Sequence, residues 1–230
     1  MSKKQLDGIE ACVFDAYGTL FDVAAAASHC QDELGANWRP LAETWRQKQL
    51  QYTWLRSLSG HYVDFWQITT DGLDFALASL EIEKPDLRRR LLDLYFALDC
   101  YPEVPGVLAR LKTAGLKTAV LSNGSPAMLE SAVKNSGLEA SLDAVLSVHE
   151  IGVYKPKPEV YRLVNRHLGV DSRAVSFQSS NSWDAHGASA YGFKVVWINR
   201  FGQARERLPG APDVELSTLE PLPSVLGING

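Results

Sequence analysis

The sequence predicts an α/β protein, in which a doubly wound parallel sheet carries an inserted and mostly helical cap domain. Beyond Pro102, short apolar runs alternate with helical stretches, which is typical of parallel strands joined by helices. Between residues 22 and 98, apolar residues recur at helical spacing and strand patterns are almost absent. The helical block follows the first strand. We therefore predict a Rossmann-like core domain from residues 1–21 and 99–230 and a cap domain from residues 22–98.

The first predicted strand covers residues 9–14, an apolar run that ends at Asp15. Gly18 and Thr19 follow, so the chain turns directly after the strand and leaves the carboxylate on a loop. In the cap, three apolar stripes at helical spacing start at Leu41, Phe65 and Leu87.

The second half of the core contains the remaining predicted elements. Helices are expected at 107–114, 126–136, 158–168 and 184–191, and strands at 117–121, 144–148, 174–177 and 194–198. Gly137 and Gly169 end two of these helices. The tail from residue 209 shows no pattern that predicts an element.

Composition excludes several functional classes. The 230 residues are 46% hydrophobic with a net charge of −4, so no basic surface for nucleic acid is expected. No apolar run approaches the roughly 20 residues that span a bilayer. The amino terminus lacks a secretory pattern, and Cys12, Cys30 and Cys100 form no metal or disulfide motif. These features predict a cytoplasmic protein with free thiols, no structural zinc, and no nucleic-acid or membrane partner.

Polar residues follow four of the predicted strands. Each has a simple interpretation on its own: Asx-turn, turn former, solvated lysine or helix N-cap. Because the carboxyl ends of parallel strands meet at one edge of a sheet, we expect these side chains to share a cleft. Carboxylates, a lysine and hydroxyl and amide groups gathered in this way favour covalent catalysis. They are Asp15 and Thr19, Ser122 and Asn123, Lys155, and Ser179, Asn181 and Asp184.

These residues lie in segments that resemble the four motifs of the haloacid dehalogenase superfamily. The segments are FDAYGTL at 14–20, LSNG at 121–124, YKP at 154–156, and SSN at 179–181 with Asp184. The helical segment at 45–56 further resembles the cap of the L-2-haloacid dehalogenases. The resemblance covers residues 9–200. It implies an (S)-2-haloacid dehalogenase, a homodimer that converts short L-2-haloalkanoic acids into D-2-hydroxy acids and halide.

Two residues depart from the pattern of the superfamily's magnesium-dependent phosphatases. Tyr17 stands where phosphatases usually have the aspartate that protonates the leaving group, and an ordinary tyrosine is a poor acid at neutral pH. Ser180 replaces an aspartate that usually helps to hold magnesium. A halide leaves without a proton, so we predict a reaction that needs no metal and no cofactor. Lys155 is then expected between Asp15 and Asp184, held in its charged form by both.

The resemblance also assigns roles to individual residues. It implies that Asp15 attacks C2 of the substrate, and that Asp184 activates the water that hydrolyses the resulting ester. The catalytic set is Asp15, Thr19, Arg46, Ser122, Lys155, Tyr161, Ser179, Asn181 and Asp184. The substrate-binding set is Ala16, Tyr17, Arg46, Gln47, Leu50, Phe65, Ser122, Asn123 and Trp183, with Arg46, Asn123 and Trp183 around the halide.

Other interpretations stay open at this point. Arg46 also fits a solvated helix face, Leu50 and Phe65 fit core packing, and Tyr161 fits a support for Lys155 or the cap, or an ordinary core or surface tyrosine. A magnesium-dependent phosphatase is the alternative enzyme, and a binding module on a degenerate hydrolase fold is the alternative without turnover. The sequence does not fix the length of the substrate or the halogen that is displaced.

Overall fold

A six-stranded parallel sheet forms the centre of the computed structural model, which describes residues 5–23 and 25–228. The strand order is β3-β2-β1-β4-β5-β6, and all five pairings are parallel. The strands are β1 (Ala11–Phe14), β2 (Lys117–Ser122), β3 (Ala144–Ser147), β4 (Val175–Ser179), β5 (Lys194–Ile198) and β6 (Val214–Leu216). The order reverses between β1 and β4. Ligands in open α/β sheets bind beyond the carboxyl ends of the strands at such a point.

Strand β1 is the innermost element of the fold. Its four residues are fully buried, because strands lie on both sides of it and the core surrounds it. A continuous apolar run without alternation is what a strand covered on both faces requires. The run ends at Asp15, whose backbone N–H still donates to the carbonyl of Gln178 at 2.8 Å. The sheet therefore fixes the backbone of this carboxylate on the side of β4.

Helices surround the sheet and form a helical segment that follows β1. In that segment they are α1 (Ala25–Ser28), α2 (Gln31–Leu34), α3 (Trp38–Ser59), α4 (Phe65–Ser79) and α5 (Pro85–Phe96). The other helices are α6 (Val104–Thr113), which precedes β2, and α7 (Pro126–Asn135), α8 (Pro158–Leu168), α9 (Ser182–Tyr191) and α10 (Leu222–Val225), which follow it. Short 3₁₀ turns lie at Gly35–Asn37, Glu139–Ser141, Val148–Glu150 and Ser172–Ala174.

The long helix α3 packs against α4 through a buried polar contact as well as apolar ones. Trp45 donates its indole N–H to the carbonyl of Thr69 at 2.8 Å, and Gln49 donates to the Thr69 hydroxyl at 3.0 Å. Asp64 is the N-cap of α4, and its side chain accepts the backbone N–H of Gln67 at 2.9 Å. This N-cap satisfies a donor that would otherwise lack a partner, so the start of α4 is fixed.

Two neighbouring stretches of chain connect the helical insertion to the sheet. The backbone N–H of Tyr101 donates to the carbonyl of Leu20 at 2.9 Å, and the backbone N–H of Asp22 donates to the carbonyl of Asp99 at 3.2 Å. Phe21 and Cys100 form an antiparallel bridge between these two bonds. The segment leaves the core and returns to it at one place.

The predicted fold class is confirmed, and the elements differ from prediction mainly at their ends. The helix expected at 107–114 begins earlier, at Val104, because Pro105 is tolerated in the first helical turn. The tail forms β6 and α10, which had not been predicted. The predicted domain boundaries stay a prediction, and their outer ends, residues 1 and 230, lie outside the described residues.

Two expectations from composition can be compared with the structure. No helix in the described part of the chain is long and apolar enough to cross a membrane. The three cysteines are free, as predicted: Cys12 and Cys30 are buried and Cys100 is half-buried.

Candidate active site

The Asp15 carboxylate lies at the carboxyl end of β1 and is held by four side chains. Its Oδ2 accepts from Asn181 Nδ2 at 2.8 Å and from Thr19 Oγ1 at 3.1 Å. The Ser179 hydroxyl lies at 3.5 Å from the same oxygen, at the limit of a hydrogen bond. The other carboxylate oxygen of Asp15, Oδ1, accepts from Lys155 Nζ at 3.1 Å. These donors fix the orientation of a carboxylate that is only 6% exposed.

Lys155 is buried between two carboxylates, as predicted. Its Nζ lies 3.1 Å from Asp15 Oδ1 and 2.8 Å from Asp184 Oδ2. Burial opposes the charged form, but the two anions outweigh it, and the pKa of Lys155 lies above its ordinary value. Its backbone N–H donates to Asn123 Oδ1 at 3.1 Å, which ties its loop to the end of β2. The ammonium group therefore stays charged in a site that excludes most water.

Asp184 is fully buried at the start of α9. Its second oxygen, Oδ1, accepts from the Tyr161 hydroxyl at 2.8 Å. Burial raises the pKa of this carboxyl, Lys155 lowers it and Asp15 raises it again, with a net shift upward. The sequence allows several roles for Tyr161, and in the structure its hydroxyl is a hydrogen-bond donor to Asp184.

Tyr161 reaches Asp184 because α9 carries a glycine at the crossing with α8. A Cβ on Gly187 would lie 2.6 Å from the Tyr161 hydroxyl and 2.7 Å from Cβ of Pro156. Both distances are shorter than real Cβ atoms show. Gly187 is therefore a site residue that the sequence reasoning missed, and its signal was a glycine inside a predicted helix.

The loop after β1 is joined to the loop after β4. The Thr19 hydroxyl accepts the backbone N–H of Ser180 at 2.8 Å, and the hydroxyls of these two residues lie 3.1 Å apart. Gly18 has a φ of +88°, and a Cβ there would lie 3.1 Å from the Ser180 hydroxyl. Thr19 thus contacts both the Asp15 carboxylate and the neighbouring loop.

The end of β2 brings two polar side chains to the same edge. Ser122 is buried, and its hydroxyl oxygen accepts the backbone N–H of Gly124 at 3.0 Å. The side-chain amide oxygen of Asn123 accepts the backbone N–H of Lys155, and its amide nitrogen takes no part in this bond. A Cβ on Gly124 would lie 2.7 Å from the Tyr17 ring, so the glycine permits the close approach of these two loops.

Arg46 reaches the core from α3. Its Nη2 donates to Asn181 Oδ1 at 3.1 Å, while Asn181 Nδ2 donates to Asp15. The two bonds fix the orientation of the Asn181 amide, since its oxygen accepts from a guanidinium and its nitrogen donates to a carboxylate. Arg46 therefore lies at the site and not on a solvated helix face.

An aromatic group covers the loop that carries Asp15. The Tyr17 ring stacks on Tyr95 with 5.8 Å between centroids and lies 5.7 Å from Phe65. Burial, with the nearby Tyr95 and Asp15, raises the pKa of Tyr17 well above its ordinary value. Tyr17 is therefore an even weaker acid than a free tyrosine. Tyr95 was missed, because its place in an apolar stripe of α5 predicts only core packing.

A cavity of about 750 Å³ lies between the helical segment and the core. Of the predicted substrate-binding residues, it is lined by Arg46, Gln47, Leu50 and Trp183. Phe65 is buried elsewhere, against Tyr17 and Tyr154. Ala16 is buried in the loop after β1, where its carbonyl accepts the N–H of Leu20 at 2.8 Å.

Among residues 5–23 and 25–228, no group of three or more His, Cys, Asp or Glu side chains is arranged to hold a metal ion. The Lys155 ammonium lies between the two buried carboxylates and offsets one of their two negative charges. Ser180 contributes a hydroxyl and no charge at its position. This donor set suits an ammonium ion better than magnesium, which prefers carboxylate oxygens in octahedral geometry.

The fold and the site are those of an α/β enzyme with a buried carboxylate–lysine–carboxylate cluster at the switch point of its sheet. A family model described as haloacid dehalogenase-like hydrolase matches residues 9–192. The chain belongs to this family, and the resemblance found in its motifs is confirmed.

Relatives of known activity cover nearly the whole chain. (S)-2-haloacid dehalogenase 1 of Pseudomonas sp. strain CBS-3 is 47% identical over 222 residues, which are 96% of this chain and 98% of the relative. A solved structure of a dehalogenase is 42% identical, with a TM-score of 0.94, and covers 96% of this chain and 98% of its own.

A third comparison involves a covalent complex. It is the L-2-haloacid dehalogenase of Xanthobacter autotrophicus with chloropropionic acid covalently bound, which is 38% identical with a TM-score of 0.88. The match covers 95% of this chain and 98% of that one.

Proposed function

We propose that this protein is an (S)-2-haloacid dehalogenase that forms an aspartyl ester on Asp15 and needs no metal ion. The observation that carries the proposal is the Asp15 carboxylate, oriented by Asn181 and Thr19 and paired with a buried, charged Lys155. The similarity to (S)-2-haloacid dehalogenases and the covalent complex of one relative support the same chemistry.

In the first step, an Asp15 oxygen attacks C2 of the L-2-haloacid from the side opposite the halogen. A C2–O bond forms while the carbon–halogen bond breaks, and the halide leaves with the bonding electrons. The configuration at C2 inverts, and no proton is transferred. Holding the oxygen and C2 in line can lower the barrier by about 7–11 kcal/mol.

In the second step, water attacks Cγ of the Asp15 ester. Asp184 accepts a proton from this water, and each of its oxygens keeps a lone pair beside the bonds from Lys155 and Tyr161. The Cγ–O bond to the substrate breaks, and the alkoxide takes the proton that Asp184 accepted, which gives the hydroxy acid. The Asp15 carboxyl loses its remaining proton to solvent and becomes the carboxylate again. The C2–O bond stays intact, so an L-haloacid gives a D-hydroxy acid.

The oxyanion of the second step needs donors at Cγ of Asp15. Lys155, Asn181 and Ser179 already contact the two carboxylate oxygens in the resting site. A single preorganised donor of this kind contributes about 3–4 kcal/mol to transition-state stabilisation. The same side chains therefore serve first to orient the nucleophile and then to stabilise charge on its ester.

Two groups of donors suit the two anionic parts of the substrate. The carboxylate is assigned to Ser122 and to the backbone N–H groups of Ala16, Tyr17 and Asn123. The halide is assigned to Arg46, Asn123 and Trp183. The Trp183 indole N–H is buried and has no hydrogen-bond partner among the described residues, so it is available to an anion.

A phosphatase reaction fits this site poorly. The leaving alkoxide of a phosphate ester needs an acid, and the buried Tyr17 holds its proton more tightly than a free tyrosine does. Lys155 already supplies a cation between Asp15 and Asp184, where a phosphatase would hold its metal ion. Both features favour a halide leaving group, which departs as a stable anion.

Halide release from the two enantiomers of 2-chloropropionate, with and without EDTA, tests the proposed reaction. We expect release from the L form alone, at a rate that EDTA does not change, and D-lactate as the product. Hydrolysis of a phosphate ester that EDTA abolishes, without halide release from either enantiomer, would restore the phosphatase alternative.

A single turnover in H₂¹⁸O tests the role of Asp15. Because water attacks Cγ, ¹⁸O should enter the Asp15 carboxylate, and the first lactate formed should carry none. Mass spectrometry of the peptide that contains Asp15 detects the label. Label found directly in the first lactate, with none in the peptide, would mean that water attacks C2 and that no ester forms.

A further inference from the structure

The cavity above the site shares two lining residues with the candidate catalytic set. Arg46 and Asn181 both line it, and Asn181 lies 2.8 Å from the Asp15 carboxylate. Trp183 and Leu50 line it as well. A substituent on C2 of a substrate bound at Asp15 can therefore extend into this space.

The surface that lines the cavity is mainly apolar. Ala42 and Trp38 line it from α3, about one and two turns before Arg46, and Phe201 lines it from the loop after β5. Phe201 is 68% exposed, although it is a large apolar side chain at the mouth of a cavity. An exposed aromatic in this position offers a surface for an apolar group.

The charges that line the cavity give no reason to expect a second anion. Two arginines, Arg39 and Arg46, and two glutamates, Glu43 and Glu206, line it, so their charges balance. Arg46 is already assigned to the halide. An uncharged alkyl chain needs no further cation.

The volume is also large for a methyl substituent. Cavities of roughly 300–1,000 Å³ usually hold drug-sized ligands, and this one measures about 750 Å³. On the basis of the proposed function, we propose that the preferred substrates are L-2-haloalkanoic acids with an unbranched alkyl chain longer than methyl. The chain lies between Trp38 and Ala42 on one side and Phe201 on the other.

A homologous series tests the proposal with the intact protein. Halide release is measured for the S forms of 2-bromopropionate, 2-bromobutanoate, 2-bromohexanoate and 2-bromooctanoate. We expect KM to fall by up to about fourfold for each methylene that is buried, until the chain reaches the mouth. A KM that rises with each added carbon would overturn the proposal.

Two variants locate the chain. Ala42→Trp fills the cavity, and Phe201→Ala removes the outer wall. Both should lower the ratio of kcat/KM for 2-bromohexanoate to that for 2-bromopropionate, by at least tenfold for A42W and severalfold for F201A. Ala109→Trp is the matched control, because Ala109 is exposed on α6 and does not line the cavity.

The outcomes separate this proposal from the proposed function. Halide release from none of the four acids overturns the proposed function itself. Release from all four, with the same ratio in A42W and F201A as in A109W, overturns only the assignment of the alkyl chain. If circular dichroism shows that A42W does not fold, F201A decides, since its exposed side chain does not support the core.

Discussion

At the scale of single residues, Lys155 is the charge on which the site depends. Its side chain is 1% exposed, and its pKa is raised because Asp15 and Asp184 together outweigh the cost of burial. A lysine with a raised pKa contributes stability that is fully present below about pH 10.4 and is lost as the pH rises through the raised value. At neutral pH the whole contribution is present.

The Lys155→Met variant should lose both activity and stability. It leaves two buried carboxylates without their cation, and breaking a buried pair in this way costs about 3–5 kcal/mol. We expect halide release to fall by at least about a hundredfold, as it does when one preorganised donor is removed. Urea unfolding and halide release check the two effects.

Lys157→Met is the control for this variant, since Lys157 is an exposed lysine two residues further along the chain. It should behave as wild type in both assays. Activity in K155M equal to that in K157M would contradict the role of Lys155 in the reaction.

The pKa of Asp184 predicts the acid limb of the pH profile. A general base works in its ionised form, so activity is present above its pKa and is lost as the pH falls through it. Burial raises the pKa of Asp184, so the acid limb of kcat should lie above about pH 3.9, the ordinary value for aspartate. The profile of kcat against pH measures this limb.

Tyr161→Phe should move that limb to still higher pH. The variant removes a hydrogen bond that lowers the pKa of Asp184. Tyr191→Phe is a matched control, because the Tyr191 hydroxyl donates to Asn165, away from the carboxylates. An acid limb at the same pH in both variants would speak against Asp184 as the base.

Three residues of the candidate site were predictable one by one because each lies in a segment that follows a strand. Asp15, Lys155 and Asp184 all lie at the same sheet edge, as the strand ends indicated. The particular hydrogen bonds were not predictable. Whether Tyr161 contacts Lys155 or Asp184 depends on how closely α8 and α9 approach, and a sequence pattern does not set that distance.

At the scale of secondary-structure elements, the crossing of α8 and α9 positions Asp184, the proposed base. Gly187→Ala would place a methyl group 2.6 Å from the Tyr161 hydroxyl. Overpacking of this kind costs about 1–3 kcal/mol and moves Tyr161 away from Asp184. We expect reduced thermal stability, and kcat lower by about tenfold or more with an acid limb shifted as in Tyr161→Phe.

Gly106→Ala provides the comparison for this substitution. Gly106 also lies in a helix, α6, but a Cβ there meets nothing within 4 Å. This variant should be unchanged or more stable by up to about 1 kcal/mol. If G187A is as stable and active as G106A, α8 and α9 can move apart without loss of stability, and the prediction is wrong.

Helix α3 shows where a pattern of apolar residues falls short. Its buried residues are Leu41, Trp45, Gln49 and Thr53, and two of these are polar. Apolar spacing alone does not indicate that Gln49 is buried. Its burial depends on the hydroxyl of Thr69 in α4, which accepts the side-chain amide N–H of Gln49. The existence of the helix was predictable, but its buried face depended on a partner from another helix.

At the scale of the whole molecule, the outer face of the helical segment exposes several large apolar residues. Leu55 and Leu58 of α3 are 52% and 78% exposed, and Phe75 of α4 is 42% exposed. The homodimer and the cytoplasmic location stay predictions. This face is our candidate for the dimer contact, because exposed apolar patches of this kind mark interaction surfaces.

Leu58→Glu should therefore shift the protein toward monomer. Sedimentation velocity at several concentrations measures the shift, and a dimer in wild type is the expected starting point. Leu208→Glu changes another exposed leucine, in the loop after β5, and should leave the dimer intact. A wild-type protein that sediments as a monomer, or a dimer that L58E does not weaken, would exclude this face as the contact.

The tail shows the limit of sequence reasoning for the molecule as a whole. Residues from 209 onward gave no periodic signal, yet Leu219, Leu222 and Val225 are buried and β6 extends the sheet. A three-residue strand and a four-residue helix are too short for a period to show. Their structure comes from the core they cover, whereas the longer core helices and the apolar strands carry their own pattern.

The paired crossing between the helical segment and the sheet makes that segment a replaceable module. The backbone bonds from Tyr101 to Leu20 and from Asp22 to Asp99 hold its two ends about 5 Å apart, the spacing of neighbouring strands. A foreign segment whose own ends form a short antiparallel ribbon would join at these points without moving Asp15, which lies on the core side. The core would keep Asp15, Lys155 and Asp184, and the grafted segment would replace Arg46 together with the other residues that lie above them. We expect substrate range to be exchanged as a unit in this way, by recombination at residues 22 and 99, while the proposed nucleophile stays where it is.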